Sequence, residues 1–322
     1  MSLLDVSSFV PPPEGPPPPD GPAPSVVGQG IEGPPARQLS PVRQVASTAI
    51  LILSLSLLGF AGYLGFASRL HFDRAQHDAY ANFRSDLAQA TAPVGPTQPA
   101  DAHALLTPGT AVAVLNIPQL RLRDVVFEGT SGAVLQDGPG HLRDTVLPGQ
   151  SGYSEILGRA ATYGGPFGQL AQLHPGDTFT VTTGQAVSTF RVIDIRHGGD
   201  PQPAPPAVGK GRLILITASG PPFLPSGVLR VDADLISPTQ PTPAPVLTAA
   251  TLPTAEQPLH GDLTALFPLV LWGQGLVLAA GLITWALGRW GRWQVWIVAV
   301  PVLGFFGLTV ADQVSRLLFN LM

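Results

Sequence analysis

Three uncharged stretches constrain this chain more than any other feature. They run from Val45 to Ser68, from Leu263 to Gly288, and from Trp296 to Ala311, the last extended upstream to Trp293. A helix needs about 20 apolar residues to cross a bilayer core, so each stretch reads as a transmembrane helix. The first is too long for the apolar core of a cleaved leader and follows 44 residues of tail, so it reads as a retained anchor. Only 12% of residues are charged, so the few basic residues beside the spans decide the orientation. Arg37 and Arg43 precede the first span, and Arg289 and Arg292 sit in the short loop between the second and third. Placing both sets in the cytoplasm puts the N-terminus inside and residues 69–262 outside, with Arg69 and Arg74 pulling weakly the other way. Trp285, Trp290 and Trp293 around that loop suit an interfacial aromatic belt.

Between and around the spans the composition changes in blocks. Residues 1–44 are dominated by proline and cannot bury a core, so they read as a disordered cytoplasmic tail. Residues 69–104 start with loosely helical apolar spacing (Leu70, Phe72, Ala75, Tyr80, Phe83, Leu87) ended by Pro93, which predicts a juxtamembrane helix and linker. Residues 105–236 carry short runs such as AVAVLNIP, TFTVTT, STFRVIDIR and RLILITAS, punctuated by Gly and Pro. That is the pattern of an all-β domain, of a size that closes one barrel around one core. Residues 237–262 are rich in Pro and Thr and read as a spacer returning to the membrane, followed by helices over 263–288 and 293–312. Gly275 and Ala279 form a small-xxx-small pair that marks a surface for helix packing.

A net charge of −4 without basic clusters excludes nucleic acid as a partner. The chain has no cysteine, which excludes disulfides and thiolate metal sites. His71 and His77 near Asp73 and Asp78 lack a strong ligand spacing and read as solvated polar faces, while His174 and Asp177 read as turn chemistry. Nothing calls for a metal or a cofactor.

Several motifs occur together and in order: an Ile-Pro-x-Leu step with a Val-x-Glu-Gly-Thr turn (AVLNIPQLRLRDVVFEGT), a Gly-Pro-Gly-His segment (DGPGHLRDTVLPGQSG), the stretch ILGRAATYGGPFGQLAQLHPGDTFTV, and RLILITASGPP. Over roughly residues 69–236 they resemble the sortase family, within it the actinobacterial class E. The resemblance implies a closed β-barrel and a cysteine transpeptidase. It also implies a catalytic His, Cys and Arg, and there the chain departs. The His position holds Arg159, the Cys position holds Ala218, and the Arg position holds Val228, with Arg230 two residues on and so on the same face of the strand. A thiolate attacks the peptide carbonyl and a second group protonates the leaving amine. Ala218 offers no nucleophile, and an arginine does not give up its proton near neutral pH.

Two further readings of these residues stand beside each other. Ser219, next to Ala218, with His141 as base, would make a non-cysteine hydrolase or transpeptidase. Arg159 and Arg230 facing one groove would favour a carboxylate or phosphate, unless Arg159 pairs with an acid such as Glu155 or Asp232. The reading that follows is a multi-pass cell-membrane protein with an extracytoplasmic sortase-like barrel. It would be a pseudoenzyme that binds a sorting-type peptide of a secreted or wall protein, or an active sortase.

Overall fold

The computed structural model describes residues 62–99, 101–221, 224–261, 263–289 and 292–322, with Gly15, Ser54 and residues 58–60. All elements below belong to the unit spanning residues 50–322. The expected proline-rich tail and most of the expected first span fall outside the described residues.

A wide helical turn, Tyr63–Ala67, runs into helix α1 (Ser68–Gln89), which ends where Ala90 takes a left-handed conformation (φ 55°). A two-stranded ribbon follows, β1 (Thr97–Gln98) and β2 (Asp101–Leu105). Eight further strands close a barrel: β3 (Ala111–Ile117), β4 (Leu122–Glu128), β5 (Gly140–His141), β6 (Gly152–Leu157), β7 (Thr178–Thr183), β8 (Val187–His197), β9 (Gly211–Ser219) and β10 (Gly227–Leu235). Helix α2 (Val134–Asp137) is a single turn between β4 and β5. The barrel order is β10-β8-β7-β3-β4-β5-β6-β9, so the all-β barrel expected from the strand pattern is present. Most neighbours are antiparallel, but β6 runs parallel to β9 and β4 parallel to β5.

Alternation explains the outer strands simply. Phe179 and Val181 of β7, and Phe190 and Val192 of β8, point into the barrel, with the Phe179 and Phe190 rings stacked 5.8 Å apart. Strand β9 is different, because both of its faces are buried. Leu213 and Leu215 join the interior, while Ile214 and Ile216 join a second cluster outside the barrel wall. A third cluster lies where Phe83 of α1 packs on Val114, Val125 and Phe127. There the Gln76 amide accepts from Val125 N (2.6 Å) and donates to Val125 O (3.1 Å), serving backbone groups of β4 that its short partner β5 leaves unpaired.

Residues 237–261 do not hang free as a spacer. Gln240 N donates to Gly149 O (2.8 Å), Ser151 N donates to Thr242 Oγ1 (2.9 Å), and Thr130 Oγ1 donates to Glu256 O (2.5 Å). Proline-rich chain cannot form its own core, but its carbonyls and hydroxyls are good partners for loop groups of the barrel, and it becomes a strap.

Among the described residues, two helices are long and apolar enough to cross a membrane, Leu263–Ala286 and Trp293–Leu317. They correspond to α3 (Leu266–Arg289) and α4 (Arg292–Leu317). Their large side chains, Phe267, Leu278, Trp285, Ile297 and Phe305 among them, are exposed, unlike those of a soluble core helix. The two helices meet where Trp272 lies against Phe305 and Phe306 (5.8 and 5.9 Å between centroids). A Cβ at Gly275 would come within 2.5 Å of Phe306, so the small residue is what lets the helices close. After Leu317 the chain turns back and residues 320–322 bury against the barrel.

Candidate functional site

The loop after β6 and the end of β9 are locked together by backbone. Gly158 N donates to Ile216 O (2.9 Å), and Thr217 Oγ1 donates to Gly158 O (2.9 Å). Gly158 lies flat on the Phe167 ring, where a Cβ would approach to 2.5 Å, so no larger residue fits. This places Arg159 beside Thr217 and Ala218. Ala218 pairs with Val228 across β9 and β10, and strand alternation puts Ile214, Ile216 and Ala218 on one outer face with Val228 and Arg230. Leu135, Leu142 and Leu157 wall the same patch.

Arg159 is 1% exposed, yet none of the ion pairs among the described residues includes it. Its Nε donates to Leu135 O (3.0 Å), Nη2 to Gly132 O (2.9 Å), and Nη1 to Thr162 Oγ1 (3.0 Å) and Met322 O (3.4 Å). Its guanidinium sits 4.9 Å from the Tyr163 ring centre. Burial lowers its pKa to about 10, which still leaves it a cation near neutral pH. The side chain is therefore a buried clamp on main-chain and hydroxyl oxygens, with four of its five N–H donors engaged, and not an open anion site. The expected pairing with Glu155 or Asp232 is not made. Asp232 is held by Arg196 at 2.6 and 3.3 Å. Burial raises the Glu155 pKa, and Arg230 is the largest charge opposing that rise. Arg230 shares the outer face with Val228, while the hydrogen bonds of Arg159 run to Gly132, Leu135, Thr162 and Met322.

Ser219 and His141 are not brought together either. Ser219 lines the cleft beside Ala218. His141 lines a different cavity, under strap residues 243–247. Its Nδ1 bonds Glu128 Oε2 (2.9 Å), and its Nε2 lies 2.9 Å from Val146 O and 3.2 Å from Thr145 Oγ1. Both ring nitrogens are therefore engaged away from Ser219. Burial alone would lower the His141 pKa, but the charge and hydrogen bond of Glu128 outweigh it and the pKa rises. Among the described residues no His, Asp and Glu side chains group to hold a metal ion. His71 bonds Asp137 (2.8 Å) and lies apart from Asp73 and Asp78, and His174 N donates to Asp177 Oδ2 (2.8 Å) within a turn.

Residues 115–223 match the sortase domain model. Sortase E of Streptomyces avermitilis is 31% identical, the match covering 47% of this chain and 100% of that one, with a TM-score of 0.36. Residues 115–223 therefore carry a sortase domain. A sortase D5 transpeptidase of Clostridium perfringens is 18% identical over 51% of this chain and 99% of that one, with a TM-score of 0.42. No curated protein matches the chain.

Sequence reasoning missed several residues of this sortase site. Thr162 and Tyr163 shape its floor, and Asn320, Leu321 and Met322 sit in it. Leu321 is fully buried in the cluster with Ile214, Ile216 and Val228. One signal pointed there. The run RLILIT in β9 is apolar at successive positions, which a strand shows when something covers its outer face.

Proposed function

We propose that this is a multi-pass membrane sortase-family protein, class E-like, that binds and does not cleave. In this reading Arg159, Ala218 and Val228 occupy the positions of the family's catalytic His, Cys and Arg. The barrel lies outside the cytoplasmic membrane, and its partner is a sorting-type peptide of a secreted or wall protein, or an active sortase. The observation that carries the reading is the pair Ala218 and Arg159: a methyl group where the nucleophile would be, beside a buried guanidinium whose donors hold carbonyl oxygens. Such a site lacks a group to attack a peptide and a group to trade protons, yet retains a peptide-sized apolar patch.

Full-length protein in nanodiscs, titrated with fluorescent sorting-type peptides, tests it. Saturable binding with no cleavage over hours is the expected result. No saturable binding at millimolar peptide, with the protein folded, sinks the receptor reading. Peptide cleavage that disappears in Ser219→Ala would instead assign the domain a serine nucleophile.

A further inference from the structure

The patch over Ala218 is already filled by the chain's own residues 320–322. Asn320 and Leu321 are fully buried and Met322 nearly so, although the preceding Phe319 is half exposed. The segment is held at every residue. Asn320 Nδ2 donates to Thr130 O (3.1 Å) and Gln257 O (2.9 Å), and Asn320 N donates to His260 O (3.0 Å). Leu321 O accepts from Ala160 N (2.9 Å), the residue after Arg159. Met322 O accepts from Thr162 Oγ1 (2.5 Å) and from Arg159 Nη1 (3.4 Å). The Leu321 side chain enters the cluster of Leu135, Leu142, Leu157, Ile214, Ile216 and Val228. Met322 lines the same cleft as Ala218 and Ser219, and the remaining space there is about 110 Å³, room for several waters but not for a second peptide.

We propose that residues 320–322 are a tethered peptide ligand of the sortase groove. They occupy it in cis, and another peptide enters only by displacing them. The groove's chemistry states what it selects: a short chain offering the Leu321 carbonyl to Ala160 N and the next main-chain oxygen, Met322 O, to the Arg159–Thr162 pair, with a branched aliphatic side chain between a carboxamide and a second apolar residue. The inference goes beyond the proposed function, because occupancy of the groove by this segment is the same for a binding site or a catalytic one.

The tether is the membrane hairpin. Only Leu318 and Phe319 separate the ligand segment from the end of α4. That end is itself bonded to the floor of the groove. Ser315 Oγ lies 2.8 Å from Tyr163 Oη and accepts from Gln136 Nε2 (2.9 Å), and Asp312 Oδ1 accepts from Tyr63 Oη (3.1 Å), which in turn lies 3.0 Å from Tyr163 Oη. Tyr163 is the ring beneath Arg159. A shift of α4 against the turn before α1 therefore pulls on both the ligand segment and its clamp, and occupancy of the groove is coupled to the arrangement of the helices.

The cysteine-free sequence permits a direct test. Ala218→Cys in the full chain, reconstituted in nanodiscs, carries a single thiol, and its labelling rate with a bulky maleimide reports whether the groove is covered. In the full chain labelling is expected to be at least tenfold slower than in the same variant ending at Phe319. The double variant Asn320→Ala/Leu321→Ala, which keeps chain length, is expected to label at the faster rate if the shortened chain does not fold. Added Phe-Asn-Leu-Met peptide is expected to restore protection in whichever uncovered variant is folded, and a scrambled peptide is not. Equal labelling with and without the segment, or no protection by the added peptide, overturns the proposal. The readout uses no sorting-type peptide, so its failure is distinct from failure of the receptor reading.

Discussion

The two faces of β9 are equally apolar and equally buried, yet different parts of the chain cover them. Leu213 and Leu215 face inward onto Phe179, Phe190 and other barrel strands, whose own alternation brings them there. Ile214 and Ile216 face outward and are covered by Leu135, Leu142 and Leu321, the last more than 100 positions along the chain. The inner cover cannot leave without unfolding the barrel. Part of the outer cover is a short segment held by side-chain and backbone hydrogen bonds, which in our proposal lifts away while the barrel stands. Similar hydrophobic surface therefore serves stability on the inner face and, in our proposal, recognition on the outer one.

That contrast can be broken or sharpened by measurement, beginning with the largest effect. Leu215→Ala should cost about 3–5 kcal/mol, because the closed interior cannot collapse onto the cavity. Thermal unfolding should show it as a single transition lowered by roughly 10 °C. Arg159→Met should cost about 2–3 kcal/mol, since buried carbonyls of Gly132 and Leu135 lose their donors. Amide exchange at Ala160 and Met322 should rise in the same variant. Leu321→Ala should cost about 2 kcal/mol, and the loss should appear as faster local exchange in residues 158–162 with little change in the main melt. A global loss as large as that of Leu215→Ala would show that the two faces are not separable in this way.

The smallest effect concerns the histidine that stays apart from the groove. The His141 pKa is raised by Glu128, so the folded state favours its protonated form. The resulting stabilisation is fully present below the ordinary histidine value of 6.5 and is lost as pH rises through the raised folded value. Melting temperatures followed from pH 5 to pH 9 should therefore fall more in the parent than in Glu128→Gln. A parallel fall in both would remove the ion pair as the cause. Labelling of Ala218→Cys should not follow this pH dependence, because His141 lines a separate cavity.

Much of the barrel was legible because a strand's pattern is local. Phe179, Val181, Phe190 and Val192 announce their inward face within a few residues, and the Gly and Pro turns mark where each run stops. The strap was legible as proline-rich chain but not as a strap, since composition says that a segment lacks a core and not which carbonyls will bind it. Arg159 was legible as a misplaced cation for a proton-transfer site, but its partners were not. Four oxygens from Gly132, Leu135, Thr162 and Met322 reach it only after the loop, α2 and the far end of the chain have converged. The pairing of Ser219 with His141 rested on Ser219 lying next to Ala218 and on the Gly-Pro-Gly-His segment, and the two residues line different cavities.

Residue types and near neighbours alone dictate that two long, largely apolar helices follow the barrel, that the strands alternate about one interior, and that no thiol stands anywhere in the chain. These are properties of residue type and of neighbours a few positions apart. Only the tertiary structure decided that Arg159 grips carbonyls and that Asn320, Leu321 and Met322 lie in the groove. The reason is physical: a short segment such as FNLM has no periodicity to read, and its burial depends on a surface built by residues that precede it by some 60 to 190 positions.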